Sequence, residues 1–369
     1  MTSIDTTSLW REMSAAPEAL ATTLDRADGH SELAALLSRP SVRRIVAIGN
    51  GASWYAALAP WLASLESPLP VEFVTVSAGQ VAKGRFPWRA GDVPLAISSS
   101  GSLRDIVEAV EDPGCPQPFG LITADDASPL GRVAGARALV TVRSQEAVTH
   151  TQAYLGAALV ALDLVGRLSG DGSLCSAVSR VPELLDARVA EAPVWAEEIA
   201  ESVPIPRAAQ AFGSVHAWPA ALEASLLFKE VAMIPAEGME TREGATSGMY
   251  ALSDEQLVLV LPLGDDRLAD EAASVCLSRG AIVHKVPWQP ACDERCAAAA
   301  HFAHPLALAT MLALRQGIDP DHPAWLAAYE ATARSSDLPQ TAASPSASPQ
   351  SVEEDPAPSK SAVQRESRA

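Results

Sequence analysis

The sequence predicts an α/β protein built from two copies of one unit, each a parallel sheet flanked by helices. Three observations point there. Short apolar runs alternate with longer stretches of helical period, which is the pattern of strand–helix–strand units. Several of those runs end directly in glycine- or serine-rich turns, at Gly49-Asn50-Gly51, Ser98-Ser99-Ser100-Gly101 and Gly213-Ser214. The alternation then starts afresh near residue 208, after a stretch over 170–200 that reads as helix alone.

The elements follow in order. Leu9, Trp10, Met13, Ala16 and Leu20, then Leu33, Leu36 and Leu37, recur at spacings of three and four, so 8–38 reads as helix. Strands are expected at 44–48, 71–76, 93–98, 119–123 and 138–142, and helices at 53–65, 103–110 and 151–168. In the second copy, strands are expected at 208–212, 257–261 and 281–286, and helices at 220–233, 265–278 and 304–315. The chain divides into an N-terminal helical segment (1–39), a first α/β domain (40–169), a helical linker (170–200), a second α/β domain (201–334) and a tail (335–369). That tail is rich in Ser, Pro and Ala, has no aromatic residue and shows no apolar period, so it is expected to be disordered.

Composition narrows the function. Apolar residues make up 48% of the chain, ample for buried cores. Forty-five acidic against 27 basic residues give a net charge of −18, a field that repels nucleic acid and anionic membranes but leaves room for one small phosphate in a local pocket. Met1-Thr2-Ser3-Ile4-Asp5 lacks the basic stretch and apolar core of a signal peptide. No uninterrupted apolar run reaches the roughly 18 residues of a membrane span; the longest candidate, 153–165, carries Asp163. Cys115, Cys175, Cys276, Cys292 and Cys296, odd in number and scattered, read as reduced thiols. A cytoplasmic protein is expected, with no nucleic-acid or membrane partner.

The chemistry concentrates at two turns. Ser98-Ser99-Ser100-Gly101-Ser102 lies between a strand and a helix, where hydroxyls, backbone N–H groups and the helix dipole together favour an anion. Ser53 adds a hydroxyl just after Gly49-Asn50-Gly51. No Gly-Lys-Ser/Thr is present and the third glycine of a dinucleotide fingerprint is missing, so neither a nucleotide P-loop nor an NAD site is expected. The alternative is that the serines merely cap helices.

These residues resemble a family. Gly49 to Ser53 and Ile97 to Gly101 look like the two phosphate turns of sugar-isomerase (SIS) domains. Glu146 to Tyr154 is similar to the family segment that closes over the sugar. Gly213 to Ile234, with Ala236-Glu237, Glu243 and Gly317 to Pro323, resembles the isomerase half of glucosamine-6-phosphate synthase. The resemblance covers about 40–330 and implies two flavodoxin-like SIS domains in a homodimer. It implies that Asn50, Ser53, Ser98, Ser99 and Ser100 hold the phosphate of a sugar phosphate, that Val148 and Thr149 line the sugar site, and that Glu230, beside Lys229, is the isomerisation glutamate. Glu243, Glu237 and His150 are further candidates for acid–base work, since a carboxylate or an imidazole of tuned pKa can move the proton.

The departures matter equally. Glutamine hydrolysis is not expected, because the synthase's glutaminase part has no counterpart. Gly244 to Met249 replaces the segment with the ring-opening histidine, Leu227 replaces a lysine three positions before Glu230, Ala328 falls at the sugar-binding lysine, and Leu103 at a threonine of the serine turn. The expected function is a deaminase or ketose–aldose isomerase on an (amino)hexose phosphate, without cofactor. The alternatives are a non-catalytic sugar-phosphate sensor and a specialised biosynthetic enzyme on an unusual substrate. Cys292, Cys296, His301 and His304 match the spacing of no common zinc finger, so no metal is expected. His216 is a candidate at the second copy's first turn, and Trp54, Trp195, Trp218 and Trp325 read as packing residues.

Overall fold

A computed structural model describes residues 3–333 apart from Lys83, so the expected tail at 335–369 lies outside the described residues. The first sheet has five parallel strands: β1 (Arg44–Gly49), β2 (Glu72–Ser77), β3 (Asp92–Ile97), β4 (Gly120–Thr123) and β5 (Ala136–Leu139). Their order is β2-β1-β3-β4-β5, the flavodoxin-like order. The order reverses between β1 and β3, where Ile48 pairs with Ala96. In such sheets the crevice for ligands opens beyond the strand ends at that reversal. The second sheet repeats the plan, with β6 (Ala208–Gly213), β7 (Ala236–Glu240), β8 (Gln256–Leu261) and β9 (Ile282–Lys285) in the order β7-β6-β8-β9, all parallel.

Alternation along the strands distributes side chains between two faces. Ile45 and Ala47 of β1 and Leu257 and Leu259 of β8 join one core that runs between the sheets. Val46 and Ile48 face an outer cluster on the first sheet, and Val258 and Val260 face another on the second. The shared core is filled by helices Ala52–Glu66, Gln152–Ser169, Gly172–Ser202, Trp218–Glu230 and Ala303–Arg315. Gln152 to Gly166 are all buried, as the unbroken apolar run requires. Asp163, the charge within it, is held by His30 Nδ1 at 3.0 Å and Arg167 Nε at 2.6 Å.

Three expectations need adjustment. Residues 8–38 are three helices, Ser8–Ser14, Ala16–Leu24 and Ala27–Leu37. Pro17 lies in the first turn of the second, where a missing N–H costs nothing. Strand β7 was not expected; it sits at a sheet edge and carries a charged, glycine-containing sequence with no β-branched residue. The stretch Glu294–Arg315 is long and apolar enough to cross a membrane by composition, with a mean hydropathy of 1.4. Its apolar window is 89% buried inside the protein, which is where a core helix places such a surface.

Candidate functional site

The two turns are built alike. After β1, Gly51 adopts φ +53°, a conformation open to glycine, and the Ser53 and Trp54 N–H groups donate back to Asn50 O (3.2 Å) and Gly51 O (2.9 Å) to start the Ala52–Glu66 helix. After β3, the buried Ser98 N–H continues the ladder to Ile122 O (3.0 Å), and Gly101 turns at φ +54°. A Cβ on Gly101 would lie 2.0 Å from Ser128 Oγ. The turn is held from behind: Ser99 O accepts from Ala124 N (3.0 Å) and Thr123 Oγ1 (3.1 Å), and Leu130 N donates to Gly101 O (3.1 Å). Helices Ala52–Glu66 and Arg104–Glu111 begin with no side-chain cap. The serines therefore do not cap these helices, and the helix N-termini keep their tendency to attract an anion.

Both turns open into one cavity of about 410 Å³. Asn50, Ser53, Ser98, Ser99, Ser100, Val148, His150 and Glu230 all line it. Thr149 stands behind the wall, its Oγ1 donating to Glu230 Oε2 at 3.3 Å. Lys229 and Glu243 are exposed and do not line the cavity. Lys229 is one residue from Glu230 and so about 100° away around the helix. Glu243 belongs to the short helix Thr241–Thr246, whose Ala245 packs on the outer cluster of the second sheet; Glu237, on edge strand β7, is exposed too.

The acidic pair is the main electrostatic feature. Burial pushes the Glu230 carboxyl up to about 7, although the Thr149 hydroxyl and Lys229 pull it down. Glu223 also lines the cavity, is 2% exposed, and stands two turns earlier on the same helix face. Burial, and then the charge of Glu230, push its carboxyl well above the usual range. Its Oε2 and the Tyr154 hydroxyl are buried without a hydrogen-bond partner. Burial lowers the pKa of His150, whose Nδ1 lies 3.1 Å from Ser99 Oγ. Asn50 Nδ2 donates to Asp105 (3.1 Å), and Arg104 Nε donates to Glu108 (3.0 Å).

Sequence reasoning passed over Glu223, Asp105, Tyr154 and the helix Leu326–Ala333, which brings Tyr329 and Thr332 to the cavity. Trp325, expected only to pack, lines it as well and donates from Nε1 to Glu230 O at 2.9 Å. A signal for Glu223 was present: an acid seven residues before Glu230 on an otherwise apolar helix face. The remaining candidates lie elsewhere. His216 is buried against Glu66 (3.0 Å), His301 Nε2 faces Pro262 O (2.8 Å), and His304 Nδ1 faces Arg188 Nη2 (3.1 Å).

Two flavodoxin-like parallel units around shared helices, with serine turns at the first switch point, define a protein of double sugar-isomerase (SIS) fold. Comparison with known proteins agrees. The chain is 27% identical over 346 residues to the glutamine–fructose-6-phosphate aminotransferase (isomerizing) of Pyrobaculum aerophilum. That match covers 86% of the chain but only 56% of the relative's length. The fold superimposes on the C-terminal domain of glucosamine-fructose-6-phosphate aminotransferase from Francisella tularensis with a TM-score of 0.72 and 19% identity, covering 87% of this chain and all of that one. It superimposes on the glucosamine-6-phosphate deaminase of Thermotoga maritima with a TM-score of 0.64 and 18% identity, over 83% and 97% of the two chains. No protein-family model matches the chain.

Proposed function

We propose that the chain binds a hexose phosphate at the two turns and transfers a proton between its C1 and C2, as a deaminase of an amino-hexose phosphate or as a ketose–aldose isomerase. The observation that carries this reading is Glu230, a carboxyl titrating near neutrality, in the same cavity as Ser98, Ser99 and Ser100. A base must be ionised to take a proton and weak enough to return it, and a pKa near the working pH meets both needs. Ser53 and the three serines would anchor the phosphate, and the sugar carbons would extend toward the Trp218–Glu230 helix. Ionised Glu230 would remove the C2 proton of an aldose and deliver it to C1. Glu223, kept neutral by burial, would donate its proton in a hydrogen bond to the oxygen on which charge develops. Two carboxyls in one cavity also suit an amine on the ligand, and the aminotransferase and deaminase relatives carry names of amino-sugar chemistry. The reading places the protein in the cytoplasm, as a homodimer without cofactor.

Leu227 and Ala328, apolar at the two lysine positions, favour a second reading as a sugar-phosphate sensor without turnover. Exchange in deuterated water separates the two. With glucosamine 6-phosphate or fructose 6-phosphate, the enzyme reading expects deuterium to enter at C2 or C1, ammonia or the partner sugar to appear, and both to vanish in Glu230→Gln. Thermal stabilisation by the sugar phosphate without exchange would select the sensor and end the enzyme reading.

A further inference from the structure

The anion turns supply hydroxyls but little positive charge. Among the described residues lining the cavity, Arg104 is the one lysine or arginine, and its Nε is engaged by Glu108. Asp105 stands beside it, and Glu223 and Glu230 lie on the opposite helix. A dianion docking on the serines therefore enters a cavity whose other ionisable groups are largely acidic. One side chain that touches the turn from the segment before the Gln152–Ser169 helix can gain positive charge, the imidazole of His150, 3.1 Å from Ser99 Oγ.

We propose that His150 is the switchable cation of this cavity, taking up one proton when a dianion such as phosphate docks on Ser98–Ser100 and thereby selecting dianionic ligands. The inference rests on the reading of these turns as a phosphate site. In the ligand-free protein, burial disfavours the imidazolium and the ring is neutral at pH 7. An adjacent dianion reverses that balance. The proton comes from solvent, both ring nitrogens become donors, Nδ1–H donates to Ser99 Oγ, and the Ser99 hydroxyl turns its own hydrogen to the anion. The other titratable groups of the cavity are Asp105, Tyr154, Glu223, Glu230 and Tyr329. Of these, Glu230 titrates near 7 and acts in the same direction, since its ionisation at higher pH also repels an anion. The test must separate it from His150.

Inorganic sulfate is the probe, because it stays a dianion across the range between about pH 5.5 and 8.5 where histidine titrates. Sulfate affinity is expected to fall by up to about tenfold per pH unit on rising pH, the slope of one linked proton. That fall should persist in Glu230→Gln and disappear when His150→Gln is added to that variant. Calorimetry of Glu230→Gln in two buffers of different ionisation heat should show uptake of up to about one proton per sulfate near pH 7. In the same samples the His150 ring carbon resonance should move to its imidazolium position. Glucose 6-phosphate, corrected for its own second ionisation, should show the same uptake. A slope that survives in the double variant, a slope lost in Glu230→Gln, or binding without proton uptake overturns the inference and leaves the phosphosugar reading intact. Failure of both sulfate and glucose 6-phosphate to bind overturns the two together.

Discussion

Replacing Glu230 with glutamine should make the protein more stable at alkaline pH while abolishing proton transfer. The carboxyl rises from its ordinary 4.5 to about 7 in the folded protein. At about 1.4 kcal/mol per pH unit, ionising it in the native cavity costs about 3 kcal/mol more than in the unfolded chain. The sign follows from proton binding: between pH 4.5 and 7 the folded state holds the proton more tightly, so stability falls as pH rises through that window. Above pH 8 the whole penalty is present, lessened where solvent reaches the cavity mouth. Glutamine is neutral throughout and can still accept from Thr149. Urea denaturation at pH 5.5 and 8.5 measures the difference. The wild-type chain should lose about 2 kcal/mol relative to Glu230→Gln between the two, the part of the penalty that develops above pH 5.5, equal to several degrees in Tm. A variant no more stable than wild type at pH 8.5 would refute the reasoning, because it would mean that this carboxylate is not held where its charge is disfavoured.

Other outcomes follow from the same geometry. Ser99→Ala and Ser100→Ala should each weaken glucose 6-phosphate binding by about tenfold or more, read by calorimetry, since a hydrogen bond to a charged group contributes about 1.5–3 kcal/mol. Gly101→Ala should lower Tm and abolish that binding, because the new methyl meets Ser128 Oγ in a backbone conformation that L residues avoid. Asp163→Ala should destabilise by about 3 kcal/mol or more, as it strips the buried His30 of its Nδ1 partner and Arg167 of its carboxylate. Asp163 also titrates below its ordinary value, so the stability it supplies is present at neutral pH and lost on acidification below about pH 4, a loss the alanine variant should not show.

Much of the fold is legible in the sequence because parallel strands buried on both faces read as unbroken apolar runs, as in Ile45 to Ile48 and Leu257 to Leu261. Strand β7 was hidden for the converse reason: an edge strand such as Ala236–Glu240 draws its stability from one neighbour and can carry glutamates and a glycine. The serine turns were legible because their residues are contiguous. Tyr154 was not, because it comes to the cavity on the 152–169 helix and nothing local marks it as facing a ligand rather than a core, and Glu223 was marked only by its seven-residue spacing from Glu230. Glu243 shows the reverse error: a carboxylate near the right segment in sequence lies on the outer side of the second sheet.

The most direct measurement is a crystal structure of the chain soaked with fructose 6-phosphate. The phosphate should sit on Ser98, Ser99 and Ser100 within reach of Ser53, with C1 and C2 against Glu230. A phosphate bound elsewhere, or a turn whose hydroxyls and amides bind protein atoms in its place, would contradict the account.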